Sequence, residues 1–180
     1  FLRTVFPQIQ TKGPIPLLIA GHQIPSYLQI WLETYEYKNL VTLLESPNDL
    51  QPLYDQSRIL VVPHQYGTGI QYKVSESMSA GLPCVLSHVA ANGFNSNNDS
   101  FCLGDTPSSF AQCVLSLYYD ELTWTNVRNN ALDYISKTHR HENLKEAWNA
   151  VLVPAVQSNK QQMEQKMAFL RKSRLQLLWD

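Results

Sequence analysis

The stretch Ile59-Leu60-Val61-Val62-Pro63-His64-Gln65-Tyr66-Gly67-Thr68-Gly69-Ile70-Gln71-Tyr72-Lys73-Val74-Ser75-Glu76-Ser77-Met78-Ser79-Ala80-Gly81-Leu82-Pro83-Cys84-Val85-Leu86 decides the fold. It reads as a strand, a glycine loop, a helix, a tight turn and a second strand. Residues 59–62 and 84–86 are short apolar runs of the kind found in strands covered on both faces, and residues 73–80 between them carry helical spacing. Strands separated by a helix cannot pair as a hairpin; they need a crossover and therefore a parallel sheet. Open parallel sheets hold ligands beyond the carboxyl ends of their strands. Gly67 and Gly69 stand just past such an end and just before a helix start, where free backbone N–H groups and the positive helix terminus favour phosphate oxygens.

On that helix Lys73 and Glu76 are three residues apart, so they share one side, a turn apart. The ammonium can offset phosphate charge, and the carboxylate can accept hydrogen bonds from two adjacent ribose hydroxyls. The same spacing also fits an ordinary helix salt bridge worth about 0.3 to 0.5 kcal/mol. Spacing alone leaves both readings open.

Working outward, Phe1, Leu2, Val5, Phe6 and Ile9 recur at helical intervals until Lys12-Gly13-Pro14 ends the pattern. Residues 15–20 form an apolar run closed by Gly21, as expected of a strand covered on both faces. Helical spacing over 25–37, a β-rich run over 40–44, a short helix over 48–56 and a last strand over 101–103 continue the alternation. From Pro107 onward the pattern is helical, with successive faces Phe110, Val114, Leu117, then Trp124, Val127, Ala131, Tyr134, then Leu144, Trp148, Leu152. Pro154 is expected to kink or break the last helix. Residues 92–100, rich in Asn and Ser, read as a loop. The fold class is therefore α/β, a doubly wound parallel sheet with carboxyl-terminal helices. Two segments follow, 1–157 as the ligand-binding domain and 158–180 as an amphipathic basic helix. In that helix Lys160, Lys166, Arg171, Lys172 and Arg174 outweigh Glu164 and Asp180, and Met163, Met167, Leu170 and Leu177 form the apolar stripe.

With 180 residues, 44% of them hydrophobic, the chain suffices for one domain with a helical appendage. Fourteen basic residues nearly balance fifteen acidic ones, so no overall field argues for nucleic acid and an anionic ligand must be held locally. Cys84, Cys102 and Cys113 are odd in number, widely spaced and set in apolar stretches, which points to reduced thiols and a cytoplasmic location. No run reaches the roughly 20 apolar residues of a membrane span.

Among the remaining candidates, His64 and Gln65 end the strand beside the glycine loop and can meet sugar or phosphate. His22, after Gly21, and His88 occupy other strand ends without a partner visible in the sequence. His139 and His141 flank Arg140 with no Cys or carboxylate cluster nearby, so they are set aside as metal ligands. Trp31, Trp124 and Trp148 are read as packing residues.

Several pieces, in this order and spacing, resemble the donor domain of GT-B glycosyltransferases of the family 4 kind. They are Asp49-Leu50-x-x-Leu53-Tyr54, Ile59 to Pro63, Gly67-x-Gly69-Ile70-x-x-Lys73-Val74-x-Glu76, Ala80-Gly81-Leu82-Pro83-x-Val85 and Gly93. The resemblance covers about residues 1–152. It implies a Rossmann-like, carboxyl-terminal domain that binds a nucleoside-diphosphate sugar, a UDP or GDP sugar, in hexosyl transfer for polysaccharide or glycan synthesis. It places Glu76 on the donor ribose, Lys73 near the diphosphate, and Gly67, Thr68, Gly69 and Ile70 against sugar or diphosphate. Glu45 and Ser46 fall near the base, and Gly21 at a neighbouring strand end. The family commonly has a first glutamate at the position of Thr68, so this chain departs from the pattern that contacts the sugar ring. No metal or other cofactor is implied.

The resemblance also implies a first central strand ahead of Phe1, a basic diphosphate-binding loop after it, and an amino-terminal domain that holds a glycan, lipid-linked or protein acceptor. None of these is found within the 180 residues, so an incomplete glycosyltransferase is expected. The terminal basic helix is expected to contact that domain or the inner face of a membrane. The alternatives are a non-catalytic nucleotide-sugar-binding or regulatory module and a nucleotide-sugar epimerase on the same fold.

Overall fold

The structure, a computed structural model, describes residues 1–67, 69–94, 99–138 and 141–176. The chain divides into two compact units, Phe1–Ile135 and Ser136–Asp180.

In the first unit, helix α1 (Phe6–Ile9) and a 3-10 turn lead into β1 (Leu17–Gly21), followed by α2 (Ser26–Glu33), β2 (Val41–Glu45), α3 (Gln51–Gln56) and β3 (Leu60–Val62). Then come α4 (Tyr72–Ser79), β4 (Cys84–Leu86), β5 (Cys102–Leu103), α5 (Pro107–Tyr119) and α6 (Glu121–Thr138). All pairing among the described residues is parallel. β1 lies beside β2 with Leu17 opposite Val41 and Gly21 opposite Glu45. β4 lies between β3 and β5, with Leu60 opposite Cys84 and Leu86 opposite Leu103. The expected helical crossovers and parallel strands are present.

β4 shows why the apolar run of residues 84–86 forms an inner strand: all three residues are buried, and alternation sends them into two cores. Val85 joins Phe6, Ile9, Phe110, Val114, Leu117 and Val127 on one face. Cys84 and Leu86 join Val62, Val74, Met78, Phe101, Ala131 and Tyr134 on the other. Each large apolar side chain so buried contributes about 1.5 to 3 kcal/mol against the entropy of ordering the chain. The helical faces expected of α5 and α6 are the ones turned inward. α5 begins with a capping box: the Ser109 N–H donates to Thr106 Oγ1 at 3.0 Å and the Thr106 N–H to Ser109 Oγ at 3.1 Å. Gly104 lets β5 approach that helix, because a Cβ there would sit 2.5 Å from Phe110 Cα.

The strand expected over 15–20 begins at Leu17 and is not covered on both faces: Leu18 is 39% exposed, and Leu44 on β2 is 36% exposed. Leu18, though not Leu44, faces a cleft of about 1270 Å³, lined among others by Leu17 to Ala20 of β1, Tyr27, Leu28 and Trp31 of α2, and Ile59 to Val61 at β3. Among the described residues β1 pairs on one edge, with β2, and β3 on one edge, with β4, so two strand edges without a described partner border this space.

The second unit holds the end of α6 and helix α7 (His141–Gln176), in which Pro154 does not break the helix, so that of the expected kink or break the break is overturned. Proline removes the hydrogen bond to the carbonyl of Ala150, but Ala150 is exposed and water can take that place. Trp148, expected to pack, is 61% exposed, and among the described residues of this unit no side chain is buried against which it could pack. Leu177 and residues 95–98 of the expected loop lie outside the described residues.

Candidate functional site

α4 turns Val74, Ser77 and Met78 into the core, and the Ser77 hydroxyl donates to the Leu82 carbonyl at 3.1 Å, fixing the turn into β4. Lys73 and Glu76 are thereby left on the outer side, yet they are not in ion-pair contact. Lys73 Nζ lies 3.1 Å from His64 Nε2, and Glu76 Oε2 accepts a hydrogen bond from the Tyr54 hydroxyl at 3.2 Å. Of the two readings that spacing leaves open, the ordinary helix salt bridge is not the one formed. Lys73 is half-buried and lines the cleft together with Tyr54 and Pro63, whereas Glu76 is exposed beside it.

Burial lowers the pKa of Lys73. His64 is also lowered, first by burial and then by the Lys73 cation, so at neutral pH its ring is uncharged. Since an ammonium can only donate, Nε2 accepts and the ring proton sits on Nδ1. The Tyr54 phenol is pushed up to about 12, first by burial and then by Glu76, which keeps it a donor. The His64 carbonyl accepts from the Ser87 hydroxyl, and Ser87 Oγ in turn accepts the Ala90 N–H at 3.1 Å, so the end of β3 is tied to the turn after β4.

Between β3 and α4, Gly67 and Gly69 have φ of +149° and +84°, values that side chains rarely adopt. Nothing would crowd a Cβ on Gly69, so conformation and not space calls for glycine there. Thr68 lies outside the described residues. Gln71, the N-cap of α4, makes no side-chain capping hydrogen bond, and among the described residues no side chain is bonded to the first N–H groups of the helix, which lie beside the glycine loop. Gln65 is exposed. Ile70 closes against Gly93, where an added Cβ would meet Ile70 Cγ1 at 2.7 Å.

The remaining expected residues gather at the carboxyl ends of β1 and β2. Gly21 faces Glu45 across the ladder, the Ser46 N–H donates to the Gly21 carbonyl at 2.8 Å, and Ser46 Oγ lies 2.7 Å from His22 Nδ1. Ser46 holds a left-handed φ of 49° to make this turn. Among the described residues no hydrogen bond joins this group to Lys73 or Glu76, so the structure forms two clusters, each at the strand ends of its own sheet.

His88 has a partner that the sequence does not show. Its N–H donates to Asp105 Oδ1 at 2.9 Å and its Nδ1 contacts Oδ2, linking the loops after β4 and β5. That backbone donor is the main cause of the lowered Asp105 pKa. Trp124 is held as expected of a packing residue, its indole donating to the Arg58 carbonyl at 2.8 Å with Arg58 over its ring. His139 lies outside the described residues. The residue that sequence reading missed is Tyr54: it stands within a quoted motif, but nothing in its spacing to Glu76 predicts contact.

The profile of the family "Glycosyl transferases group 1" matches residues 1–120. An uncharacterized 44.6 kDa protein of the Klebsiella pneumoniae cps region is 24% identical over 146 residues, 77% of this chain and 37% of that protein. Among solved structures, S. aureus TarM, in a complex containing UDP, is similar with a TM-score of 0.73 and 16% identity over 82% of this chain and 31% of its own. Sucrose-phosphate synthase of Thermosynechococcus elongatus is similar with a TM-score of 0.65 and 18% identity over 90% of this chain and 42% of its own. The chain thus spans well under half the length of these relatives, and the structural likeness is one of fold, the Rossmann-like domain of GT-B glycosyltransferases. With a profile match across two thirds of its residues and the same fold, the chain belongs to the group 1 glycosyl transferases.

Proposed function

We propose that this domain binds the nucleoside-diphosphate sugar of a glycosyl transfer, with the acceptor presented by a separate amino-terminal domain. The observation that carries the reading is the state of Lys73: a half-buried cation without a carboxylate partner among the described residues, beside a glycine loop and an uncapped helix start. Such a group lacks a counter-charge that a diphosphate would supply. Glu76 next to it can take the ribose hydroxyls. Negative charge developing on the leaving diphosphate would be offset by Lys73 and backbone N–H groups, so no metal is required and transfer persists in EDTA.

Two further parts of the reading concern what meets this domain. The edges of β1 and β3 without a described partner border one apolar cleft, and a single extended segment from the rest of the enzyme, lying between them, would satisfy both. The exposed Val156 and Met163 of α7, with its basic residues, suit the surface of an anionic membrane on the cytoplasmic side.

The test is calorimetric titration of the protein with UDP, GDP and ADP, uridine first because TarM was solved with UDP. One nucleotide is expected to bind, and Glu76→Ala and Lys73→Ala each to weaken it about tenfold, roughly 1.4 kcal/mol. Equal affinity in wild type and both variants would remove the donor role. Binding without transfer, even with an acceptor domain supplied, would identify instead a non-catalytic module, a reading that Thr68 in place of a glutamate favours.

A further inference from the structure

A lysine and a glutamate one turn apart on a helix tend to meet each other. Here each is taken by a neutral group from another element. Tyr54 of α3 holds the Glu76 carboxylate, and His64, two residues past β3, holds the Lys73 ammonium. We infer that Tyr54 and His64 are positioning residues, which keep the carboxylate and the ammonium apart and aimed for a ligand that carries an anionic group near a pair of vicinal hydroxyls. The inference rests on the donor-binding reading and assigns these two side chains no contact with the reacting atoms.

The chemistry of the partners supports it. A neutral acceptor orients an ammonium without cancelling its charge, and two of the three Lys73 N–H donors stay available. A neutral donor uses one of about four acceptor positions on a carboxylate, so Glu76 retains capacity for two hydroxyls. A salt bridge between the two would have neutralised both groups and turned them toward each other. His64 is itself anchored, because its carbonyl accepts from the Ser87 hydroxyl, which is held by the Ala90 N–H. The high Tyr54 pKa agrees with a phenol that stays protonated against the carboxylate throughout the neutral range.

The experiment is calorimetric titration with UDP, GDP and ADP and with their 2′,3′-dideoxy counterparts. Tyr54→Phe is expected to weaken the normal nucleotide about fivefold and to leave the dideoxy form within about twofold. In a double-mutant cycle with Glu76→Gln the two losses should not add. His64→Leu is expected to lose about tenfold, and His64→Gln, whose amide oxygen can accept from Lys73, to recover most of it. Wild-type affinity in Tyr54→Phe while Glu76→Gln is weakened overturns the inference and leaves the donor reading standing. So does an equal loss for normal and dideoxy nucleotides, which marks a packing role, and failure of His64→Gln to recover overturns the His64 half. Should Glu76→Gln and Lys73→Met both bind every nucleotide as wild type does, or should wild type bind none, the donor reading falls and the inference with it.

Discussion

A half-buried ammonium whose neighbour is a neutral imidazole weakens the fold that holds it. The pKa of Lys73 is lowered, so the folded state binds its proton less tightly than the unfolded chain does. The stability linked to this group is present above the unfolded value of 10.5 and is lost as pH falls through the depressed folded value, leaving a net cost at neutral pH. Lys73→Met should therefore raise stability by about 0.5 kcal/mol, a figure kept small because the group is partly screened by solvent, while nucleotide affinity drops about tenfold. Thermal denaturation beside calorimetry measures both, and a variant that melts lower than wild type contradicts the account. Lys73 and Glu76 were legible as a pair because three helical residues set their common side whatever surrounds them. Their true partners were not legible. Tyr54 lies 22 residues from Glu76, and Ser46 lies 24 from His22, separations at which nothing local determines distance.

At the scale of elements, the legible ones are those whose surroundings are uniform. β4 is buried on both faces and appears in sequence as an unbroken apolar run at the residues where it forms. β1 has a similar run, yet one side opens on the cleft, so composition overstated its burial. α7 shows the limit of reading proline as a stop, since a lost hydrogen bond at a solvent-facing carbonyl is replaced by water. Its residues Lys160, Lys166, Arg171, Lys172 and Arg174 stand along one helix with Val156 and Met163 exposed. Each basic residue is worth about 1 kcal/mol near an anionic leaflet, an attraction that salt screens. The protein should sediment with phosphatidylglycerol vesicles at low salt, release as salt rises and ignore phosphatidylcholine. Equal binding to both lipids would count against the electrostatic contact.

On the scale of the molecule, the decisive feature is that the sheet edges of β1 and β3 both border one apolar cleft. β4 is hydrogen-bonded on both sides, whereas β1 and β3 each have a partner strand on one side. Amides of β1 and β3 that point into the cleft should exchange hydrogen at least about a hundredfold faster than those of β4, measured by NMR. Uniform protection across β1, β3 and β4 would mean that those edges are already paired. The amino-acid sequence by itself determined the alternation of parallel strands and helices, the glycine loop before α4 and the shared side of Lys73 and Glu76, because each follows from backbone sterics and periods of two or 3.6 residues. Only the tertiary structure decided that Lys73 meets His64, that Glu76 meets Tyr54, that the strand-end residues form two clusters and that a cleft separates β1 from β3. Those relations depend on how elements distant in the chain are laid side by side, and no local period encodes that distance.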